Sequence, residues 1–216
     1  MRTRENSPED PTPPFTGPLV LWLGVQFAVF ALAAARIPLA AQYVEPAEHL
    51  ALHLLLGVQV VVASLLFPFL FRDVRSAIQI VATAIPFQLA AAYLAGLGMT
   101  DAMEPAGFVD LWLLTLAVWA TVLRPIRAQM LGVAVASLLT LGFATLRYLR
   151  LEFTSNPLAG ATFETASPLL TIFAAVVGSP TLWGWLTACS LMTAGLAPMG
   201  FSRVRRARVA AASSGQ

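Results

Sequence analysis

Residues 49–98 read HLALHLLLGVQVVVASLLFPFLFRDVRSAIQIVATAIPFQLAAAYLAGLG. This stretch consists of two long apolar runs joined by the charged segment RDVR. A helix needs about 20 mainly apolar residues to cross the hydrocarbon core of a bilayer. Each of these runs, His49–Phe71 and Ala77–Gly98, is that long, and the charged turn between them can stay in water. The stretch therefore predicts a helical hairpin in a membrane.

The same pattern continues along the rest of the chain. Of its 216 residues, 58% are hydrophobic and only 11% are charged, whereas soluble domains carry roughly 25% charged residues. Including the hairpin, six apolar runs predict spans, of which the fourth and fifth are short: Pro18–Ala35, His49–Phe71, Ala77–Gly98, Phe108–Leu123, Met130–Leu146 and Thr181–Met199. We therefore expect an all-α, polytopic integral membrane protein with six transmembrane helices.

The arginines indicate the orientation of these spans, because cytoplasmic loops carry an excess of positive charge. If the N-terminus is inside, ten arginines fall on the inner side, namely Arg2, Arg4, Arg72, Arg75, Arg124, Arg127, Arg203, Arg205, Arg206 and Arg208. Only Arg36, Arg147 and Arg150 fall outside, and the expected outer loop Thr100–Val109 has no arginine. We predict an inner (cytoplasmic) membrane protein with both termini cytoplasmic: a disordered tail at 1–17, the membrane domain at 18–200 and a basic tail at 201–216.

The apolar stretch Ser167–Met199 is too long for one span and is interrupted by Gly178, Ser179 and Pro180. Proline breaks helices because it lacks a backbone donor and clashes with the preceding turn. The first part, Ser167–Val177, is too short to cross alone. We expect it to be re-entrant, dipping into the outer leaflet and returning, with its backbone buried in protein because lipid cannot satisfy it.

Both histidines lie at the outer start of the second predicted span. His49 and His53 are four residues apart and so share one helix face, which allows a ligand pair for a metal or a heme, with Glu48 beside it. The alternative is that acidic residues such as Glu48 simply favour the positive end of a helix. A zinc site needs a third protein ligand, and one helix cannot ligate both faces of a heme. We therefore expect no metal site and no tightly bound cofactor.

Two arginine clusters are candidate contact sites. The turn Phe69–Gln79 carries Phe71, Arg72, Asp73 and Arg75, which either anchor helix ends or dock a cytoplasmic partner. Near the outer end of the fifth span, Arg147 and Arg150 either belong to an interfacial belt or bind an anionic group, such as a propionate or a lipid phosphate.

Several function classes find no support in the sequence. It has no glycine-rich phosphate loop, no nucleophile elbow and no pair of carboxylates at catalytic spacing within the spans, so we expect no enzyme activity. Only Asp110, near the outer end of the fourth predicted span, approaches membrane depth. Cys189 is the sole cysteine, which excludes an intramolecular disulfide. The short arginine clusters beside apolar runs are typical of membrane proteins and not of proteins that bind nucleic acid.

Three stretches taken in order resemble one family: LFRDVRSAIQIVATAIP at Leu70–Pro86, SPLLTIFAAVVG at Ser167–Gly178, and LTACSLMTAGLAPMGFSRVRRA at Leu186–Ala207. They are similar to parts of the heme-exporter B subunit of cytochrome c maturation, a six-span permease of the ABC-2 type. The resemblance implies a permease without catalysis of its own, a cytoplasmic ABC ATPase docked at the turn Phe69–Gln79, and other membrane subunits. It also implies heme as a handled ligand on the outer face.

Two other functions stay open from the residues alone. One is a small membrane subunit of a respiratory or metal-handling complex, with His49 and His53 as ligands. The other is a structural membrane protein that binds no ligand. Membrane lipids are partners under every hypothesis, and a homodimer is compatible with each of them.

Overall fold

The computed structural model describes residues 17–40, 49–72, 74–153, 166–177 and 181–213, with backbone alone at 36–40, 50, 74, 150–153 and 199–213. Every regular element in these residues is helical, so the predicted all-α class is confirmed. The helices are α1 (Gly17–Ala40), α2 (Leu50–Leu70), α3 (Val74–Leu94), α4 (Met99–Val122), α5 (Ile126–Ser137, a π-helical turn Leu138–Gly142, then Phe143–Phe153), α6 (Pro168–Val176) and α7 (Leu182–Ser213).

Five helices in the described part of the chain are long and apolar enough to cross a membrane. The segments are Gly17–Ala35, Ala51–Leu70, Arg75–Leu94, Met99–Val122 and Ile126–Leu149. They correspond to the first five predicted spans, which confirms the expectation of several helices of membrane-spanning length. The sixth predicted span, Thr181–Met199, falls within α7, and a six-span topology stays a prediction.

The fourth helix begins earlier than the sequence indicated. We expected an outer loop at Thr100–Val109, but α4 already starts at Met99 and takes Pro105 into its interior. Packing explains the difference, because Ala102, Pro105 and Phe108 are buried at helical spacing on one face. The free energy gained by burying this face outweighs the cost of the backbone hydrogen bond that Pro105, which has no N–H, cannot donate.

A tight turn brings α4 back alongside α3. Gly96 adopts a left-handed φ of 67°, a conformation that glycine reaches without a steric penalty. The N–H of Leu97 then donates to the carbonyl of Ala92 at 3.1 Å, which closes the end of α3. This turn fixes which residues of the two helices face each other.

The centre of the bundle is formed by α2 and α4. In each of these two helices, half of the residues in the most apolar 18-residue stretch are buried, compared with 22% in α1 and 17% in α5. On one side α1 and α3 pack against this pair, and on the other side lie α5, α6 and α7. Side chains of α2 and α4 are therefore the ones positioned to form an internal site.

The last helix runs parallel to α4. Thr181 donates to a carboxylate oxygen of Glu104, the rings of Phe108 and Trp185 meet at 5.4 Å, and Trp119 Nε1 donates to the Leu191 carbonyl at 3.1 Å. These contacts advance along both helices in the same direction. The backbone of α7 continues as a helix through residues 201–213, where a basic tail was predicted. At the other end of the chain, residues 1–16 of the predicted disordered tail lie outside the described residues.

The break predicted before the last span is present, since α6 ends at Val176 and α7 begins at Leu182. Gly178, Ser179 and Pro180 themselves lie outside the described residues. The start of α6 sits beside the middle of α5, where Ser167 Oγ donates to the Thr140 carbonyl at 3.1 Å. Further along, Phe173 stacks on His53 at 4.9 Å. The short helix therefore runs from inside the bundle toward the end at which α2 begins.

Candidate functional site

A chain of hydrogen bonds between four side chains links the first four helices. Gln59 Nε2 donates to Gln26 Oε1 at 2.7 Å. Gln88 Nε2 donates both to Gln59 Oε1 at 3.0 Å and to Asp110 Oδ1 at 3.2 Å. We call Gln26, Gln59, Gln88 and Asp110 the Gln–Asp chain. Each of α1 to α4 contributes one of its members.

The three glutamines of the Gln–Asp chain are buried in the bundle, and Asp110 is half-buried. Gln26 and Gln59 are 0% exposed and Gln88 is 3% exposed. Gln59 lies about halfway along α2, and Asp110 about halfway along α4. The expectation that Asp110 lies near the outer end of its span was wrong, because α4 begins at Met99 and not at Phe108. A carboxyl group therefore lies at the middle of a helix that is long and apolar enough to span a membrane.

The α1 end of the Gln–Asp chain has unused donors. Among the described buried atoms, Gln26 Nε2 and Trp22 Nε1 have no hydrogen-bond partner. A buried amide or indole N–H without a partner costs about 1–3 kcal/mol. Such a cost inside the apolar part of a protein is typical of a functional position.

A cavity of about 220 Å³ adjoins the α3–α4 end of the Gln–Asp chain. Gln88 and Asp110 are its polar lining residues. The rest of the lining is apolar: Ile85, Leu89, Met99, Ala102, Met103, Ala106 and Gly107. Ile85, Leu89 and Met103 are exposed on the outside of the bundle, at 41%, 43% and 67%. The cavity therefore opens sideways between α3 and α4, with a carboxyl group and an amide on its wall.

A second polar network holds the short helix α6 in place. Trp112 Nε1 donates to Ser64 Oγ at 3.1 Å, and Ser64 shares a 3.0 Å hydrogen bond with the hydroxyl of Thr140. Thr140 belongs to the π-helical turn of α5, and its carbonyl accepts the hydrogen bond from Ser167. A π-helical turn departs from the regular hydrogen-bond pattern of an α-helix. Here a carbonyl of the turn accepts a hydrogen bond from Ser167, the residue just before α6. This network is structural in character, because all of its members are neutral and paired.

The histidines do not assemble a metal site in the described residues. His49 Nδ1 and His53 Nε2 are buried and have no hydrogen-bond partner, and His53 stacks on Phe173. Glu48 lies outside the described residues. Among the residues that the structure describes, no group of three His, Cys, Asp or Glu side chains could hold a metal ion. The expectation of no metal site and no tightly bound cofactor stays a prediction.

The predicted partner-contact turn joins α2 and α3 directly. The side chain of Phe71 is buried, at 1% exposure, and its N–H donates to the Phe67 carbonyl at 2.9 Å. Arg72 and Arg75 are exposed, and the Arg72 guanidinium lies 5.8 Å from the centre of the Phe69 ring. Asp73 lies outside the described residues. The turn thus presents two arginines on a short, well-anchored connection.

The arginine pair that was predicted to lie on the outer side falls on the second half of α5. Arg147 is half-buried there, and the side chain of Arg150 lies outside the described residues. No contact of Arg147 with an acidic group occurs in the described part of the protein. The predicted anion contact therefore stays a prediction.

Sequence reasoning missed the three glutamines. They lie inside the first three apolar runs, the third of which also contains Gln79, and a polar amide in such a run is costly unless it is hydrogen-bonded. That cost was the available signal, and it applies equally to Gln26, Gln59 and Gln88. Their mutual pairing could not be deduced, because it depends on how the helices are rotated against each other.

Comparison of this chain with protein-family models, with curated proteins and with solved structures gives no match. The resemblance to a heme-exporter B subunit consequently rests on the three stretches of sequence alone.

Proposed function

We propose that this chain is the permease subunit of an ABC-type membrane transporter, with the Gln–Asp chain as its internal polar position. The observation that carries the proposal is the hydrogen-bonded line of three buried amides and one carboxyl group at the middle of the bundle. Ionisable groups at such depth are costly and mark solute or ion pathways in membrane proteins. A purely structural bundle would gain the same packing from apolar side chains.

Neutral amides alone would be a weaker argument. Hydrogen bonds between membrane helices average only about 0.6 kcal/mol of stabilisation, and glutamines can serve simply to join helices. Asp110 favours solute handling over a role in joining helices, because a carboxyl group in an apolar surrounding must be neutralised by a proton or a cation. A side cavity at that same carboxyl group gives a solute a place to bind. We therefore favour solute handling over a ligand-free structural role.

The narrower form of the proposal follows the sequence resemblance. In it, the protein lies in the inner membrane with six spans and cytoplasmic termini, and α6 is re-entrant from the outer face. A cytoplasmic ATPase docks at the turn Phe69–Gln79, and other membrane subunits handle heme on the outer side. ATP hydrolysis in the partner would shift the permease between two conformations by differential contact with them.

The topology can be tested with alkaline phosphatase, which is active only outside the cytoplasm. A fusion after Gly98, in the α3–α4 turn, is expected to be active, and a fusion after Gln216 inactive, because the arginine distribution places them on opposite sides. A fusion after Pro125, in the α4–α5 turn, serves as an internal control and should be inactive. Activity at Gln216 would contradict the proposed topology of six spans with both termini inside.

Partner docking is tested by charge reversal at the two inner turns. Arg72→Glu with Arg75→Glu is expected to release a copurifying ATPase, because close charge pairs across interfaces couple by about 1.5 kcal/mol or more, which is over tenfold in affinity. Arg124→Glu with Arg127→Glu is the matched control. All four arginines are exposed, and both double variants weaken the orientation signal equally.

The measurement is ATPase recovery after mild detergent extraction, with insertion of each variant checked by the phosphatase fusions. Retention of the ATPase by both correctly inserted variants, or the absence of any ATPase from the unaltered protein, would contradict docking at Phe69–Gln79.

A further inference from the structure

The cavity between α3 and α4 combines one carboxyl group with apolar walls. Asp110 receives a hydrogen bond from Gln88, and no arginine pairs with it among the residues that the structure describes. An ionised carboxylate without a cation is very unfavourable in an apolar interior. The site therefore requires a positive partner, which is either a proton or a cationic ligand.

Both polar residues keep acceptor atoms for such a ligand. Gln88 uses its Nε2 group on Gln59 and Asp110, which leaves its Oε1 atom as an acceptor. Asp110 accepts through Oδ1 and keeps Oδ2. An ammonium group carries three N–H donors and no acceptor, so it matches a wall that offers oxygen acceptors. An anion would meet the negative carboxylate without a compensating positive group.

A bare metal ion fits this cavity poorly, because the lining offers too few oxygen ligands. Ca²⁺ takes six to eight oxygen ligands and Mg²⁺ demands an octahedral set, whereas Gln88 and Asp110 are the polar side chains of this lining. The walls are methylene, methyl and thioether groups, from Ile85 and Leu89 on α3 and from Met99 and Met103 on α4. Such walls favour an apolar body attached to the charged group.

The dimensions limit the size of that body. The cavity volume of about 220 Å³ lies below the roughly 300–1,000 Å³ of pockets that take drug-sized ligands. Its opening lies on the outside of the bundle, where exposed Leu89 and Met103 form the rim. A ligand with a short apolar chain can thus reach Asp110 from the bilayer side without crossing a polar surface.

We propose that the α3–α4 cavity binds a small primary ammonium ion with an apolar body, held by Asp110 as counter-ion and by Gln88 as a second acceptor. This names a ligand class for the internal polar position and rests on the function proposed above. It uses only the chain itself and needs no ATPase.

The test uses n-hexylammonium as the probe and n-hexanol as its neutral counterpart of the same chain length. Binding of each radiolabelled compound is measured by equilibrium dialysis against the full chain in lipid nanodiscs, after subtraction of uptake by empty nanodiscs. Hexylammonium is expected to bind stoichiometrically, and hexanol at least tenfold more weakly, because only the ammonium group satisfies the carboxylate.

Two matched variants assign the binding to the cavity. Asp110→Asn keeps the shape of the side chain but removes its charge, and is expected to weaken hexylammonium at least tenfold without changing hexanol. Asp101→Asn removes an exposed acid from the first turn of the same helix and should change neither. Thermal unfolding in the same nanodiscs shows that each variant is folded, and Gln88→Leu, which removes the second acceptor, should weaken hexylammonium severalfold.

Equal binding of the cation and the alcohol, or equal loss in Asp101→Asn and Asp110→Asn, would overturn the ammonium site. Absence of hexylammonium binding to the folded chain would overturn it as well. None of these results affects the docking of the ATPase at Phe69–Gln79, which is measured separately, so failure of this site and failure of the permease proposal remain distinguishable.

Discussion

Gly184→Val is expected to destabilise the bundle by about 3 kcal/mol, since overpacking a tight contact costs about 1–3 kcal/mol and occasionally more. A Cβ atom at Gly184 would overlap three side-chain atoms of Thr171, including its Cβ. A flexible side-chain end could turn aside, but a Cβ atom moves only with its helix. The contact between α6 and α7 would therefore have to open.

The opposing effect is smaller. Replacing glycine in a helix by a residue with a side chain gains up to about 1 kcal/mol of helix propensity, and less for valine because it is β-branched. The steric cost at Gly184 exceeds this gain. The expected sign is thus destabilising, measured as a lower midpoint of unfolding in detergent on heating or on addition of denaturant.

The matched control is Gly24→Val in α1, where an added Cβ meets no atom within 4 Å apart from the nearby backbone of its own helix. It should change the stability by less than about 1 kcal/mol. Adding Thr171→Ala to Gly184→Val should restore part of the loss, because two of the three overlapping atoms disappear. If Gly184→Val and Gly24→Val unfold at the same midpoint, α6 does not pack on α7 through this glycine.

The contact at Gly184 illustrates how far sequence reasoning reaches. The break at Gly178–Pro180 was predictable because proline disrupts a helix locally, and the short length of Ser167–Val177 followed from it. That Gly184 lets Thr171 approach was not predictable, because the contact depends on where α6 settles. Local rules give the elements, whereas their contacts are set by the packing of residues far apart in sequence.

Asp110 shows the same limit of local sequence rules, here for the position of a residue along its helix. Its depth was misjudged because an outer loop was expected at Thr100–Val109, a segment that contains Asp101 and Glu104, and local sequence offered no reason to extend the helix through it. The burial of Ala102 and Phe108 against neighbouring helices decides that extension. The added residues 99–107 extend the start of α4 by about two and a half turns, which moves the carboxyl group from the outer end to the middle of the helix, where its chemistry is different.

The glutamines allow a sharper separation of stability from function. Gln59→Leu is expected to destabilise the protein by about 1–3 kcal/mol, because it leaves Gln26 Oε1 and one N–H of Gln88 buried without a partner. Leucine has a similar volume, so cavity formation contributes little. Unfolding in detergent, measured as for Gly184, gives this value, and Gln129→Leu, at a partly buried position on α5, is the control expected to be near neutral.

Replacing all four members of the Gln–Asp chain by leucine should reverse that loss. Buried polar groups replaced together by apolar ones of similar size are often neutral or stabilising, because no donor, acceptor or charge is left unpaired. We therefore expect the quadruple variant to regain the stability of the unaltered protein to within about 1 kcal/mol, although it lacks four polar side chains. The same variant should lose hexylammonium binding entirely. A quadruple variant as unstable as Gln59→Leu would instead mean that these hydrogen bonds specify the packing of α1 to α4. In that case the depth of Asp110 would reflect how the helices are joined, and the polar chain would no longer argue for solute handling.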